Sequence, residues 1–325
     1  MTSPLAGVRI LDLGAFCAQV PHALAVSMAA KLCAGFGATV VRPLPETGEP
    51  FAAMPPLLPA GGSALDRFLN AEKQAGGMAG PFAAAIGDGP ALADHAADIA
   101  ISVRVSVFGP GEDPAMSELG LMALSGLLDL VGQGSGEPIR LPGHQTAYAA
   151  GLAACTGLMA ALRAGDAETV EVSLFDVAAW LNWKVPARIT LLGETGAAGP
   201  SDWFTIPAKD GHVALVYQDK DWPALCAMIG DPRLTGAGFA TASGRRANRD
   251  RLVAILGPWF AARDRAEIAA AAEARRLPIG PVRTPLELLA DRQNRARGFL
   301  AADGTPLMPL RSDGQRPARE LGHAA

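Results

Sequence analysis

Two short apolar runs near the N-terminus, with a helix-like segment between them, constrain the fold more than any other part of this sequence. Val8–Gly14 is rich in branched side chains and ends in glycine, and Gly37–Arg42 has the same character. Continuous apolar runs of this length are typical of parallel strands that are buried on both faces. Strand, helix and strand in succession predict a βαβ unit with a right-handed crossover. The sequence therefore predicts a doubly wound parallel sheet.

The turn after the first strand lacks the glycine pattern of a dinucleotide site, because Gly14 is followed by Ala-Phe-Cys-Ala-Gln. The four cysteines have no spacing that suits a metal, and we expect buried free thiols in a reducing compartment; they are Cys17, Cys33, Cys155 and Cys226. Neither NAD nor a metal cofactor is expected.

Composition narrows the class of protein further. Half of the 325 residues are apolar, 18% are charged and the net charge is −4, which indicates a globular protein and argues against general nucleic-acid binding. The N-terminus lacks the basic lead of a signal peptide, and the apolar segment 23–34 is too short to cross a bilayer. We expect a soluble cytoplasmic protein without a membrane partner.

A long helix is predicted in the middle of the chain, within Leu141–Ala164. A Pro-Gly turn precedes a run of small and apolar residues without proline, which allows close helix packing. Polar side chains gather only at its front edge, at His144, Gln145, Thr146 and Tyr148. A helix start offers unpaired N–H groups and a partial positive charge, so it suits an anion or a reacting acyl oxygen.

Alternating patterns predict further strands at Ile99–Val107 and Thr169–Leu174, and Phe175–Ala187 is predicted as one helix. The two tryptophans in that helix, Trp180 and Trp183, are expected to lie in the core rather than to stack on a ligand.

The composition changes near residue 192, where a small-residue linker begins. Beyond it, Phe204–Ile206 and Gly211–Tyr217 predict a hairpin, which is followed by helices. We therefore expect a large domain over 1–192, to which 286–325 returns, and a small α+β domain over 193–285.

Taken in order, these segments resemble the class III CoA-transferases, a family that includes formyl-CoA transferase, carnitine CoA-transferase and α-methylacyl-CoA racemase. The stretches that carry the resemblance are Pro4–Leu13, Gly37–Arg42, Leu69–Lys73, Ala123–Leu127, Val170–Asp176, Asp210–Leu215, Asn248–Asp250, Leu277–Val282 and Leu289–Gly298.

The resemblance implies a Rossmann-like large domain with a parallel sheet, a smaller α+β domain and an interlocked dimer that holds coenzyme A between domains. It also implies transfer of CoA between carboxylic acids through a mixed anhydride on an aspartate. The racemase branch instead moves an α-proton.

This chain departs from the family at its reactive positions. Where the resemblance expects the aspartate, four residues before Gly151, the sequence has Ala147. The histidine of the racemase branch is also missing before Leu121–Gly126. Between Asp98 and Phe108 the chain lacks a segment that, in the family, helps to hold CoA.

Other residues are candidates for the chemistry. His144 could act as a general base, although a turn histidine bonded to backbone is the alternative. Gln145 and Tyr148 could donate hydrogen bonds to a thioester oxygen, or simply cap the helix. Glu118 and Asp176 are lesser carboxylate candidates, because first-turn acidic residues usually favour the helix itself.

For the nucleotide, the resemblance assigns cofactor-binding roles to Arg42, Asn70 and Lys73, whose charges and amide suit phosphates; solvated surface charges are the alternative. The expected function is that of an acyl-CoA transferase-like protein that moves CoA between carboxylic acids or isomerises an acyl-CoA. The alternative is an inactive family member, acting as a partner subunit in a homodimer or heterodimer, or a small-molecule binding protein.

Overall fold

The chain folds into two compact units in a computed structural model that describes residues 3–111, 113–132, 137–193 and 203–310. The first unit comprises Met1–Gly132, Glu137–Glu194 and Gly298–Ala325, and the second comprises Gln133–Gly136 and Thr195–Arg297.

The first unit is built on one parallel sheet. Its strands are β1 (Arg9–Asp12), β2 (Thr39–Arg42), β3 (Gln74–Ala75), β4 (Ala84–Gly87), β5 (Ile101–Ser106) and β6 (Glu168–Ser173). They lie in the order β3-β2-β1-β4-β5-β6, and every neighbouring pair is parallel. The order reverses between β1 and β4, as in doubly wound folds. The predicted α/β class with a Rossmann-like parallel sheet is confirmed.

The helices of the first unit are α1 (Val20–Gly35), α2 (Ala64–Asn70), α3 (Gly89–His95), α4 (Glu118–Leu124), α5 (Leu127–Gly132), α6 (Gln145–Ala164), α7 (Leu174–Leu181) and α8 (Lys184–Leu192). The predicted central helix is α6, and it packs along α1. Their close approach requires a residue without a side chain at Gly151, since a Cβ there would lie 2.6 Å from Met28 Cβ and 2.8 Å from the Ala25 carbonyl oxygen.

In the described part of the chain, α6 is the one helix long and apolar enough to cross a membrane by length and composition. Its buried alanines, such as Ala147, Ala150 and Ala154, belong to the core between α1 and the sheet. This packing accounts for its apolar character.

The structure corrects three expectations about the first unit. β4 was not predicted, although it lies at the centre of the sheet and is fully buried. The single helix predicted over Phe175–Ala187 is two helices, because Asn182 ends α7 and its side chain donates to the Ser125 carbonyl oxygen at 3.1 Å. Placing the two tryptophans in the core was wrong, since Trp180 is 74% exposed and Trp183 is 57% exposed.

The second unit contains an antiparallel sheet, ordered β7-β8-β9, with helices packed on it. Its strands are β7 (Phe204–Ala208), β8 (Gly211–Leu215) and β9 (Gly280–Pro281), and its helices are α9 (Trp222–Ile229), α10 (Ala242–Ala247), α11 (Arg249–Ala261), α12 (Arg265–Glu273), α13 (Pro285–Leu289) and α14 (Arg292–Arg297). Short 3₁₀ helices lie at Asp219–Asp221, Pro232–Thr235 and Ala237–Phe239. β7 and β8 form the predicted hairpin.

Helices α13 and α14, which the sequence-based bounds assigned to the larger domain, group with the second unit. Arg265 of α12 explains part of this grouping, because its Nη2 lies 2.6 Å from Glu287 Oε1 and its Nη1 donates to the Val282 carbonyl oxygen at 2.7 Å. These contacts join α13 to α12 directly.

Candidate functional site

A carboxylate and a histidine are in direct contact beside the start of α6. His144, which precedes the helix, has its Nδ1 2.9 Å from Glu118 Oε2. The other oxygen of Glu118 accepts from the backbone N–H of Thr146 at 3.0 Å and from that of Ala147 at 3.5 Å. The Glu118 side chain is 8% exposed and that of His144 is 24% exposed. A buried carboxylate therefore orients a partly accessible imidazole at a helix start.

Local sequence explains why these two side chains meet. Gly143 adopts a left-handed conformation (φ 78°), which turns the chain into α6. Ser117 caps α4 by accepting from the Gly120 N–H at 3.1 Å, so Glu118 is the first residue of that helix. Its carboxylate reaches the orphan N–H groups of α6, where the helix dipole favours negative charge.

A cavity of about 590 Å³ opens beside this pair. Its lining is mostly apolar and consists of Gln19, Val20, Pro21, Leu24, Ala115, Met116, Ser117, Glu118, Leu119, Arg140 and His144. The volume lies within the range of roughly 300–1,000 Å³ that is usual for small-molecule sites. An acyl group could therefore enter it and reach His144.

One wall of the cavity is the segment 113–117, which is tied to the start of α1. Gln19 holds it with both ends of its amide: Nε2 donates to the carbonyl oxygens of Asp113 (3.3 Å) and Pro114 (3.1 Å), and Oε1 accepts from Met116 N–H at 2.8 Å. The buried His22 adds a contact, since its Nε2 lies 3.2 Å from Asp113 Oδ2, and burial lowers the pKa of His22. This wall is fixed by side chains that the sequence did not single out.

The predicted catalytic residues share this end of α6, with different surroundings. Gln145 is exposed, and its Nε2 donates to the Pro142 carbonyl oxygen at 3.2 Å, which steadies the turn. Tyr148 is half-buried, with its ring 6.1 Å from that of His144. Burial, and then the negative charge of Glu118, raises the pKa of Tyr148, so its hydroxyl stays a donor at neutral pH. Their catalytic roles stay predictions.

Ala147 is 1% exposed and belongs to the apolar core. No carboxylate stands at this position, and Glu118 Oε1 lies 3.5 Å from the backbone nitrogen of Ala147. The hydroxyl of Thr146, also buried, has no hydrogen-bond partner in the part of the chain that the structure describes. An unsatisfied buried hydroxyl in a native fold is often the mark of a ligand or water that completes it.

The residues predicted to bind the nucleotide form a separate, buried network around Asp12, at the carboxyl end of β1. Arg42 donates from Nη1 to both Asp12 oxygens at 3.0 Å, and from Nε to Glu49 Oε2 at 2.7 Å. Lys73 Nζ donates to Asp12 Oδ2 and to Asn70 Oδ1, each at 2.7 Å. The cations therefore neutralise carboxylates inside the protein.

Burial and pairing shift the pKa values in this network. Burial alone would raise the pKa of Asp12, but the cations of Arg42 and Lys73 lower it to about 2. Burial, together with the nearby Arg42 charge, lowers the pKa of Lys73 to about 8. A phosphate would have to displace Asp12 to use these two cations. Their assignment to CoA stays a prediction, and their contacts account for them as structural charges.

The sequence contained a signal for one of these contacts, the ion pair between Asp12 and Arg42. Asp12 and Arg42 each end a strand of the parallel sheet, and parallel strands bring their carboxyl ends to the same edge. An ion pair between them follows from that register. The contact between Glu118 and His144 carried no such signal, because 26 residues separate them and two helix starts must meet.

The sequence matches the profile of CoA-transferase family III over residues 88–318. This chain belongs to CoA-transferase family III. The match covers more than two thirds of the chain and includes both the Glu118–His144 pair and most of the second unit.

Curated relatives agree with this assignment. The chain is 30% identical over 195 residues to an acyl-CoA transferase of Fusarium pseudograminearum, covering 55% of this chain and 42% of that protein. It is 25% identical over 222 residues to a succinate–glutarate CoA-transferase of Agrobacterium fabrum, covering 63% of this chain and 55% of that protein. The chain thus spans about half the length of the curated relatives it matches.

Solved structures share the fold along nearly the whole chain. A CAIB/BAIF family protein from Brucella suis superposes with a TM-score of 0.82 at 19% identity, covering 98% of this chain and 95% of that chain. Rv3272 from Mycobacterium tuberculosis superposes with a TM-score of 0.78 at 21% identity, covering 97% and 95%.

Proposed function

We propose that this family III protein binds an acyl-CoA with the acyl end in the cavity at the start of α6, and that His144 moves a proton of the acyl group. The observation that carries the proposal is the 2.9 Å contact between His144 Nδ1 and Glu118 beside that cavity. The reaction class is proton exchange at the carbon next to the thioester carbonyl, the first step of an isomerisation.

The contact selects the tautomer of the neutral imidazole. An ionised carboxylate only accepts hydrogen bonds, so Nδ1 carries the proton and, in the neutral ring, Nε2 keeps its lone pair. Nε2 is then the base: it takes the α-proton, the electron pair moves to the thioester oxygen, and an imidazolium and an enolate form. Glu118 stabilises the imidazolium that results. Return of a proton from the imidazolium completes the exchange.

The enolate oxygen needs a hydrogen-bond donor. Tyr148 packs against His144 and stays protonated at neutral pH because of its raised pKa, and Gln145 lies in the same turn. Either side chain supplies a donor without a change of charge. These roles follow the sequence-based assignment of both residues.

An anhydride on the protein is not favoured by this site. Ala147 has no carboxylate, and Glu118 already accepts from two backbone N–H groups while its second oxygen contacts His144. A carboxylate with its lone pairs engaged in this way is a weak nucleophile. The proposal therefore favours isomerisation of an acyl-CoA over transfer of CoA between acids.

A second candidate function is a partner subunit without catalysis of its own. The observation that favours it is the apolar surface of α7 and α8, where Trp180, Trp183, Leu191 and Leu192 are each more than half exposed. Large apolar side chains that are exposed on successive helices are candidates for burial in a protein interface. A homodimer, or a heterodimer with an active homologue in the cytoplasm, would cover it.

The test is incubation of the purified protein with an acyl-CoA in deuterated buffer, with and without a free carboxylic acid, followed by mass spectrometry. We expect deuterium at the α-carbon and no new thioester. Replacing His144 by Asn should slow the exchange roughly 10²- to 10⁴-fold, as for loss of a general base. His212→Asn, at an exposed histidine of β8, is the matched control.

Formation of a new thioester with the acid would overturn the proposal in favour of transfer. CoA binding by calorimetry without either reaction would favour the second candidate. A change in sedimentation on mixing with a homologue would support it further.

A further inference from the structure

The two charged side chains that line the cavity beside His144, Glu118 and Arg140, differ in the partners that they have within the protein. The carboxylate of Glu118 accepts hydrogen bonds from two backbone N–H groups and from His144. Arg140 lines the same cavity, is exposed, and has no carboxylate partner in the part of the chain that the structure describes. Arg140 is therefore the one guanidinium or ammonium group among the described residues of this lining, and it is open to an anionic ligand.

The rest of the lining restricts what this cation can hold. Apart from Arg140 and the Glu118–His144 pair, the lining side chains are uncharged, and most of them are apolar. Methylene groups suit such a wall, whereas a second charged group near its middle would lose its hydration. A ligand that fits is apolar along its length and anionic at its end.

From this arrangement we propose that Arg140 is a specificity-determining residue that binds a second carboxylate, at the far end of the acyl group. The substrate class is then the mono-CoA thioester of a dicarboxylic acid. A guanidinium holds a carboxylate with two parallel hydrogen bonds, which fixes direction as well as charge. Arg140 and His144 line the same cavity, so one acyl chain can extend from the base toward the cation.

A phosphate of CoA is the other anion that Arg140 could meet. The nucleotide end of CoA carries several negative charges, and the lining contains no second lysine or arginine to balance them. The α-carbon must also lie near His144, which places the acyl end, and not the nucleotide, in this cavity. The carboxylate is therefore the better match.

This inference rests on the proposed function for the position of the acyl end. The probes are adipoyl-CoA and hexanoyl-CoA, which have equal chain length and differ by the terminal carboxylate. We expect the wild type to prefer adipoyl-CoA roughly tenfold to a hundredfold in affinity and in kcat/KM, as for one charge-assisted contact. Arg140→Gln should bring this ratio close to one through KM, and Arg140→Lys should keep part of it.

Arg163→Gln, at an exposed arginine in the last turn of α6, is the matched control and should leave the ratio unchanged. Loss of affinity for adipoyl-CoA, hexanoyl-CoA and free CoA by the same factor in Arg140→Gln would overturn the inference, because Arg140 would then contact the nucleotide. An equal preference for both esters in the wild type would also overturn it.

Calorimetry measures the binding preference for adipoyl-CoA independently of α-proton exchange, so it tests the role of Arg140 separately from the proposed function. If the wild type binds adipoyl-CoA more tightly but exchanges no α-proton in either ester, the proposed chemistry fails and the assignment of Arg140 is supported.

Discussion

Two buried carboxylates in the first unit show how the same group can serve structure or chemistry. Asp12 is fully buried and is neutralised by the cations of Arg42 and Lys73. Glu118 is nearly as buried, but its partners are backbone N–H groups and the ring of His144, and it borders a cavity. Two cations hold the pKa of Asp12 at about 2, so this carboxylate stays ionised and has no proton to exchange near neutral pH. One paired with an imidazole can support proton transfer.

The largest expected effect is the loss of stability when the structural carboxylate, Asp12, is removed. Asp12→Ala leaves Arg42 and Lys73 buried without their anion, so we expect the free energy of unfolding to fall by about 3–5 kcal/mol. Urea denaturation of the purified variant measures it. The matched control is Asp303→Asn, at the more exposed ion pair with Arg67, which should cost at most about 1 kcal/mol. An equal loss of unfolding free energy in the two variants would contradict the structural role assigned to Asp12.

A second carboxylate beside Glu118 should be poorly tolerated. The Ala147 N–H lies 3.5 Å from Glu118 Oε1, and the residue is buried, so Ala147→Asp brings two like charges together. We expect this variant to be less stable than Ala147→Asn by about 1–3 kcal/mol at pH 7. Denaturation at pH 7 and at pH 4 compares the pair, and the difference should shrink in acid as one carboxylate takes a proton. Equal stability at pH 7 would place the new carboxylate away from Glu118.

Acid should weaken the Asp12 network within a defined interval. The folded-state pKa of Asp12 is lowered from 3.8 to about 2, so its stabilisation is present above pH 4 and is lost as the pH falls toward 2. The loss amounts to about 2 kcal/mol. Denaturant midpoints between pH 5 and pH 2 measure it, and the carboxyl carbon signal of Asp12 gives the titration directly. A midpoint near 4 in that signal would contradict the pairing.

The last expected effect concerns rate rather than stability. Glu118→Gln keeps the shape and a hydrogen-bond acceptor for Thr146 N–H but removes the charge that orients and stabilises the imidazolium of His144. We expect α-proton exchange to slow roughly tenfold to a hundredfold, as for outer partners of a reacting histidine. Deuterium incorporation at the α-carbon measures this rate. The control is Ser117→Ala, which removes the cap of α4 and keeps Glu118. An unchanged exchange rate would mean that Glu118 only caps the start of α6 and takes no part in proton transfer.

The sequence was sufficient for the fold class and for several of its elements, because their signals were local. Two apolar runs and the helix-like segment between them predicted β1, α1 and β2, and the small, apolar composition of residues 141–164 predicted α6. β4 escaped prediction because Ala84–Gly87 contains a single branched residue, although small side chains are what this central strand requires. A Cβ at Gly87 would lie 3.2 Å from both Leu13 and Leu92.

The exposed tryptophans and the Glu118–His144 contact escaped for a different physical reason. Trp180 and Trp183 have core-like composition, but their exposure depends on where α7 ends and on what lies beside it. The pairing of Glu118 with His144 depends on two helix starts meeting in space. Such contacts are set by tertiary packing and leave no periodicity in the sequence.

The carboxylate of Glu118 has one more consequence, for inhibition by salts. Helix starts commonly attract sulfate, phosphate or acetate, but at α6 the protein's own carboxylate already accepts from Thr146 and Ala147. An added anion must compete with a tethered one whose effective concentration far exceeds that of any buffer. Simple buffer anions should therefore be poor inhibitors at this helix start.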